Sequence, residues 1–142
     1  MLAQNFKTPA DLGISDAEFE ALVKVLGMLE RGEIKNTPPR ARYIVGAPIH
    51  VTECERAPTH FSMGYEVAYH DCGTSCCIMG WARWVGDDDR LFRDATSINH
   101  SAQPLFYPYN DGILERRVGI GAIALRNYLT HGEPRWEEAL EA

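Results

Sequence analysis

Five histidines and four cysteines are the side chains of this chain whose spacing first invites nucleophilic, acid–base or zinc chemistry. Cys72, Cys76 and Cys77 cluster, and Cys54 lies upstream. As a nucleophile site, Cys76 or Cys77 would attack from a helix N-terminus, where unpaired amides and the macrodipole favour a thiolate. The base would be His70, with His60, His100 and His131 as further candidates, and spacing singles out none of them. As a zinc site, His70, Cys72 and Cys76 would be joined by Cys54 or Cys77, but the paired Cys-x-x-Cys knuckles of structural zinc are absent. As packing residues, Cys72 and Cys77 would be small core side chains beneath Trp81, the ordinary state of free cysteine. The packing reading is favoured, with Cys76 the more exposed thiol, and neither a metal nor a cofactor is expected.

Weaker chemical signals resolve into structural ones. Asp87, Asp88 and Asp89 lack the alternating ligands and terminal glutamate of a calcium loop and read as helix caps. Gly119-Ile120-Gly121 lacks the strand and third glycine of a dinucleotide loop. The papain-type Cys-Gly-Ser-Cys-Trp signature is not met either, because the spacing from Cys72 is one residue too long and the tryptophan lies at position 81.

These residues need elements to position them. Phe19, Leu22, Val23, Leu26 and Leu29 recur at three- and four-residue steps, predicting a helix over 16–31, with Ser15 and Glu18 as a capping box and a close near Gly32. A second helix is predicted over 75–86, capped by Thr74 or Ser75, with Cys77, Ile78, Trp81, Ala82 and Val85 as its apolar stripe and Gly80 permitting close packing. Val118, Ile120, Ile123, Leu125, Tyr128 and Leu129 predict a third over 117–131, ending near Gly132. Between residues 36 and 59 four prolines (Pro38, Pro39, Pro48 and Pro58) make a loop-rich excursion, in which the β-prone runs around 41–52 suit a short hairpin. The sum is a mainly α, small single-domain fold over residues 1–142.

Composition bounds the function. The 142 residues are 45% hydrophobic, enough for one core, and carry a formal net charge of −6, which argues against binding nucleic acid through counterion release. No apolar run is long enough for a membrane span, and the start has no secretory pattern, so a cytoplasmic location with reduced thiols is expected.

The stretch from Asp71 to Ala82, preceded by Phe61 and Met63, resembles a family of small uncharacterised proteins of phages and bacteria. Its hallmark is Cys-Gly-Thr-x-x-Cys-Ile-x-Gly-Trp-Ala after a Phe-x-Met segment, met here by Cys72, Gly73, Thr74, Cys77, Ile78, Gly80, Trp81 and Ala82. The resemblance extends to Thr130-His131-Gly132-Glu133 before Trp136, and the proline-rich 36–59 segment departs from it. It implies a mainly helical cytoplasmic protein without an assigned activity. In physical terms Gly73 suits a turn, Thr74 a cap, and Cys72 and Cys77 fall one turn apart around the helix start. The expected function is a non-enzymatic protein-interaction module, of phage or prophage origin by resemblance, contacting a host protein through its 36–59 segment. The alternative is a cysteine-dependent hydrolase or transferase using Cys76 or Cys77.

Overall fold

The computed structural model describes residues 5–37, 42, 50–54, 57–63, 67–70, 73–97, 99–107 and 117–141. Helices dominate it: α1 (Pro9–Leu12), α2 (Asp16–Glu30), α3 (Ile78–Gly86), α4 (Gln103–Phe106), α5 (Val118–His131) and α6 (Trp136–Glu141). The chain is mainly α, as its periodicity predicts. Four short strands, β1 (Lys35–Asn36), β2 (His60–Phe61), β3 (Ala68–His70) and β4 (Gly73–Cys76), form a small sheet in the order β1-β2-β4-β3.

Helix α2 begins where its sequence says it should. Ser15 Oγ accepts from the Glu18 amide at 3.1 Å, and a Glu18 carboxylate oxygen accepts from the Ser15 amide at 2.9 Å, so two otherwise orphaned donors are satisfied together. The second Glu18 oxygen accepts from the Phe92 amide at 2.5 Å. That bond anchors Phe92, a bulky residue at φ 61°, while its ring packs edge-on against Phe106 with centroids 4.8 Å apart. One carboxylate therefore starts a helix and ties a distant turn to it.

Leu22, Leu26 and Leu29 of α2, Ile78 and Trp81 of α3, and Leu125, Tyr128 and Leu129 of α5 meet in one apolar core, with the sheet's Phe61 and Cys76 inside it. Helix α5 ends on Gly132 at φ 85°, whose amide reaches the Tyr128 carbonyl at 2.8 Å. Its start is capped from a distance, because the Val118 amide donates to Asn36 Oδ1 of β1 at 2.7 Å. Ile123, expected on the buried stripe, is 36% exposed, and Gly121, Ala122 and Ala124 take the buried positions instead. Small residues there let α5 approach its neighbours closely.

Of the expected 41–52 hairpin, residues 41 and 43–49 lie outside the described residues, and Val51–Glu53 form a 3-10 turn rather than a strand. Thr52 of that turn donates through its hydroxyl to Asp89, while the Asp88 carboxylate accepts from the backbone and then the guanidinium of Arg90, which hold it below the usual carboxylate range. Asp87 closes α3 in a left-handed conformation at φ 49°. Asp87 and Asp88 thus end α3 and hold the next turn as the sequence predicts, whereas Asp89 caps neither and bonds the distant Thr52 instead.

The Tyr128 hydroxyl lies 3.1 Å from Ser101 Oγ, which also donates to the Leu12 carbonyl. Burial raises the phenol pKa above 10.0, against the lowering effect of the Ser101 bond. A raised acid pKa favours the neutral phenol in the fold, so its contribution is complete below pH about 10 and falls away as pH climbs through the folded value. Tyr128→Phe should therefore flatten the loss of stability as pH rises above about 10 in urea unfolding. An unchanged alkaline loss would exclude Tyr128 as its source.

Candidate functional site

The two halves of the sequence motif become neighbouring strands. His60 pairs with Ser75 and Phe61 with Cys76 in the parallel β2–β4 ladder, and the Ser62 amide donates to the Cys76 carbonyl at 3.1 Å. On the other side β4 runs antiparallel to β3, with His70 opposite Gly73. Helix α3 leaves directly from the end of β4. Trp81 then turns back over the strands, its indole Nε1 donating to the His60 carbonyl at 3.0 Å, with only 2% of the residue exposed. The motif is a strand-to-helix junction whose tryptophan locks the helix onto the adjacent strand.

Four expectations about this junction are corrected. The helix starts at Ile78 rather than Ser75, and Gly73, Thr74 and Ser75 belong to β4. Thr74 is therefore not a cap: its carbonyl accepts from the Thr59 amide at 2.9 Å, and its buried hydroxyl has no hydrogen-bond partner among the described residues. Gly73 opens the strand opposite His70 instead of forming a turn. Cys77 itself is the N-cap, its Sγ accepting from the Gly80 amide at 3.4 Å. Sulfur occupies the place where the sequence suggested a hydroxyl. The fourth correction concerns Cys76, which is 0% exposed, against 5% for Cys77. It faces the core beside Phe61 because alternation along β4 leaves it on the inner side.

Three of the candidate histidines have described side-chain surroundings. His60 is 7% exposed, its Nδ1 lies 2.6 Å from Thr59 Oγ1, and strand alternation directs it away from the face that Phe61 and Cys76 share. His100 Nδ1 accepts from the Ala102 amide at 3.0 Å, and His131 is exposed at the last residue of α5. His70 occupies the end of β3, three positions along β4 from Cys76 in register. Cys72, one member of the zinc set, lies outside the described residues. Among the described residues no three His, Cys, Asp or Glu side chains converge as a metal would need.

Concave surface occurs elsewhere. A pocket of about 510 Å³ is lined by Pro104, Pro134 and Trp136 together with Glu133, Arg135, Glu137 and Glu138. A second hollow of about 410 Å³ lies along α2 by Val23, Gly27 and Met28 and reaches Val85 of α3. Neither includes a cysteine or a histidine. The first was not legible in the sequence, where Pro134-Arg135-Trp136 after the Gly132 stop was its one visible trace. Comparison with protein-family models, with curated proteins and with solved structures returns no match.

The two buried cysteines should respond differently to the same substitution. Serine is a preferred N-cap, so Cys77→Ser replaces one acceptor for the Gly80 amide by another and should change stability by less than about 1 kcal/mol. Cys76→Ser puts a hydroxyl on the inner face of the sheet and should cost about 1–2 kcal/mol. Urea unfolding of both variants checks the order. In the native wild type, half-buried Cys54 should be alkylated before either buried thiol.

Proposed function

We propose that this chain is a non-enzymatic module acting by contact with another protein, cytoplasmic and of phage or prophage origin as the sequence resemblance implies. The observation that supports the reading is the use of Cys76, Cys77 and Trp81, among the motif's described side chains, inside the fold. Cys76 faces the core, Cys77 caps α3, and Trp81 spans from α3 to β2, leaving the motif's main side chains little surface to offer a substrate. The described hollows lie on other faces, where binding needs no reactive group. A negative formal charge of −6 supports a protein partner over nucleic acid. No helix among the described residues is long and apolar enough to cross a membrane.

A second reading, a cysteine-dependent hydrolase or transferase using Cys76 or Cys77 with His70, draws on one observation, the acceptance of a helix amide by Cys77 Sγ. Photo-crosslinking side chains introduced at Ile123, Glu53 and Glu137, one variant each, separate the two. The contact reading expects one host protein captured saturably from one face and bound again after purification. Absence of any saturable capture, together with rapid native alkylation of Cys77, would favour the enzyme.

A further inference from the structure

We propose that the pocket floored by Pro104, Pro134 and Trp136 and rimmed by Glu133, Glu137 and Glu138 docks a short lysine- or arginine-bearing segment of a protein partner. The inference rests on the contact-module reading and names the partner's chemistry.

The floor is apolar and held in place. Pro134 and Trp136 are buried, the indole Nε1 of Trp136 donates to the Pro104 carbonyl at 3.0 Å, and Asn127 Nδ2 donates to the Pro134 carbonyl at 3.0 Å. Between them Arg135 adopts φ 51° and points outward, its Nε 3.2 Å from a Glu133 oxygen. A floor fixed by two side-chain bonds and two prolines needs little ordering when a ligand arrives, which removes a usual cost of binding.

The rim has a sign. Three carboxylates face one guanidinium, and that guanidinium already has Glu133, while Glu137 and Glu138 make no ion pair among the described residues. Both are exposed to solvent. A lysine or arginine fits this arrangement, its methylene stem against proline and indole and its charged end at the carboxylates. The same carboxylates repel phosphorylated or acidic segments, and the chain's net charge of −6 extends the attraction for basic ones. Glu137 and Glu138 also suit the first turn of α6. Peptide binding therefore has to be measured directly, since stability alone reports only the helix.

The test titrates the 15N-labelled full chain with blocked tetra-arginine and tetra-lysine peptides, using tetra-glutamine and spermidine as controls. The expected result is a set of shifts confined to the amides of residues 132, 133 and 135–138 and the Trp136 indole. Affinity should fall by about fivefold or more in Glu137→Gln/Glu138→Gln, and should fall again as salt rises from about 50 to about 300 mM. The control Glu20→Gln/Glu53→Gln removes the same formal charge elsewhere and should bind normally. Equal weakening by both double variants, shifts spread over the acidic surface, spermidine binding as tightly as the peptides, or no binding would each overturn the proposal. A purified partner that docks through another face would sink this inference while leaving the contact reading intact. Peptide binding at the pocket with no partner found would do the reverse.

Discussion

Trp81→Ala is expected to remove about 3–5 kcal/mol of stability, the cost of deleting a buried aromatic side chain and leaving its cavity. Three separate losses combine. The indole fills the angle between α3 and the sheet, where it is 2% exposed, so its area returns to water or to a void. Its Nε1 no longer meets the His60 carbonyl, leaving a buried acceptor to find another donor. With both gone, α3 keeps only its other packing contacts to hold it against β2. Because a domain of this size has about 5–15 kcal/mol in total, the alanine variant sits near the edge of folding. Trp81→Phe keeps most of the ring and loses the hydrogen bond, so it should fold and cost about 1–2 kcal/mol. Urea unfolding followed by far-ultraviolet circular dichroism reads both. A phenylalanine variant as stable as the wild type would mean that the His60 carbonyl does not depend on the indole.

The same tryptophan marks the line between what the sequence made legible and what it hid. Its burial follows from apolar spacing with Ile78 and Ala82, and the Ser15–Glu18 box and the Gly132 stop follow from local hydrogen-bonding chemistry. Those features are encoded by residues within one helical turn of one another. The His60 carbonyl under the indole is encoded by nothing local, because it depends on β2 pairing with β4 across the chain. A strand of two residues such as β2 carries no alternation to detect. The misplaced start of α3 has a related cause. Thr74 and Ser75 have the better capping side chains, yet the ladder with β2 and β3 claims their backbone first, and the cap passes to Cys77. Cys76 departs from its sequence expectation for the same reason: helical spacing sets its exposure one way and strand alternation the other. The pocket at Trp136 was hidden because Pro104 reaches it from α4, a helix too short to announce itself by periodicity.

Gly121→Val should destabilise the protein by about 3 kcal/mol, at the upper end of the cost of overpacking a core. Glycine inside a helix is usually a weakness, and replacing it with alanine ordinarily gains up to about 1 kcal/mol. The environment reverses the sign here. A Cβ built on Gly121 would lie 2.6 Å from Phe61 Cζ and 2.9 Å from Cε2, inside the closest approach of carbon atoms. The ring cannot swing aside, because Phe61 is fully buried and its strand is paired on both edges, with Asn36 on one side and Cys76 on the other. Either α5 moves off the sheet or β2 leaves its ladder, and each loses packing that Leu125 and Leu129 share. Gly121→Ala should therefore also destabilise, by about 1–2 kcal/mol after its helix-propensity gain is subtracted. Gly119 provides the internal comparison. It lies on the same helix with nothing within 4 Å of its added Cβ, so Gly119→Ala should be neutral or stabilising by a few tenths of a kcal/mol, roughly. Shortening the ring in Phe61→Leu should restore part of what Gly121→Ala loses, giving a coupling of about 1 kcal/mol or more in a double-mutant cycle. Strictly additive losses would show that α5 and β2 do not meet at this pair, and with it that the small residues of α5 serve some other contact.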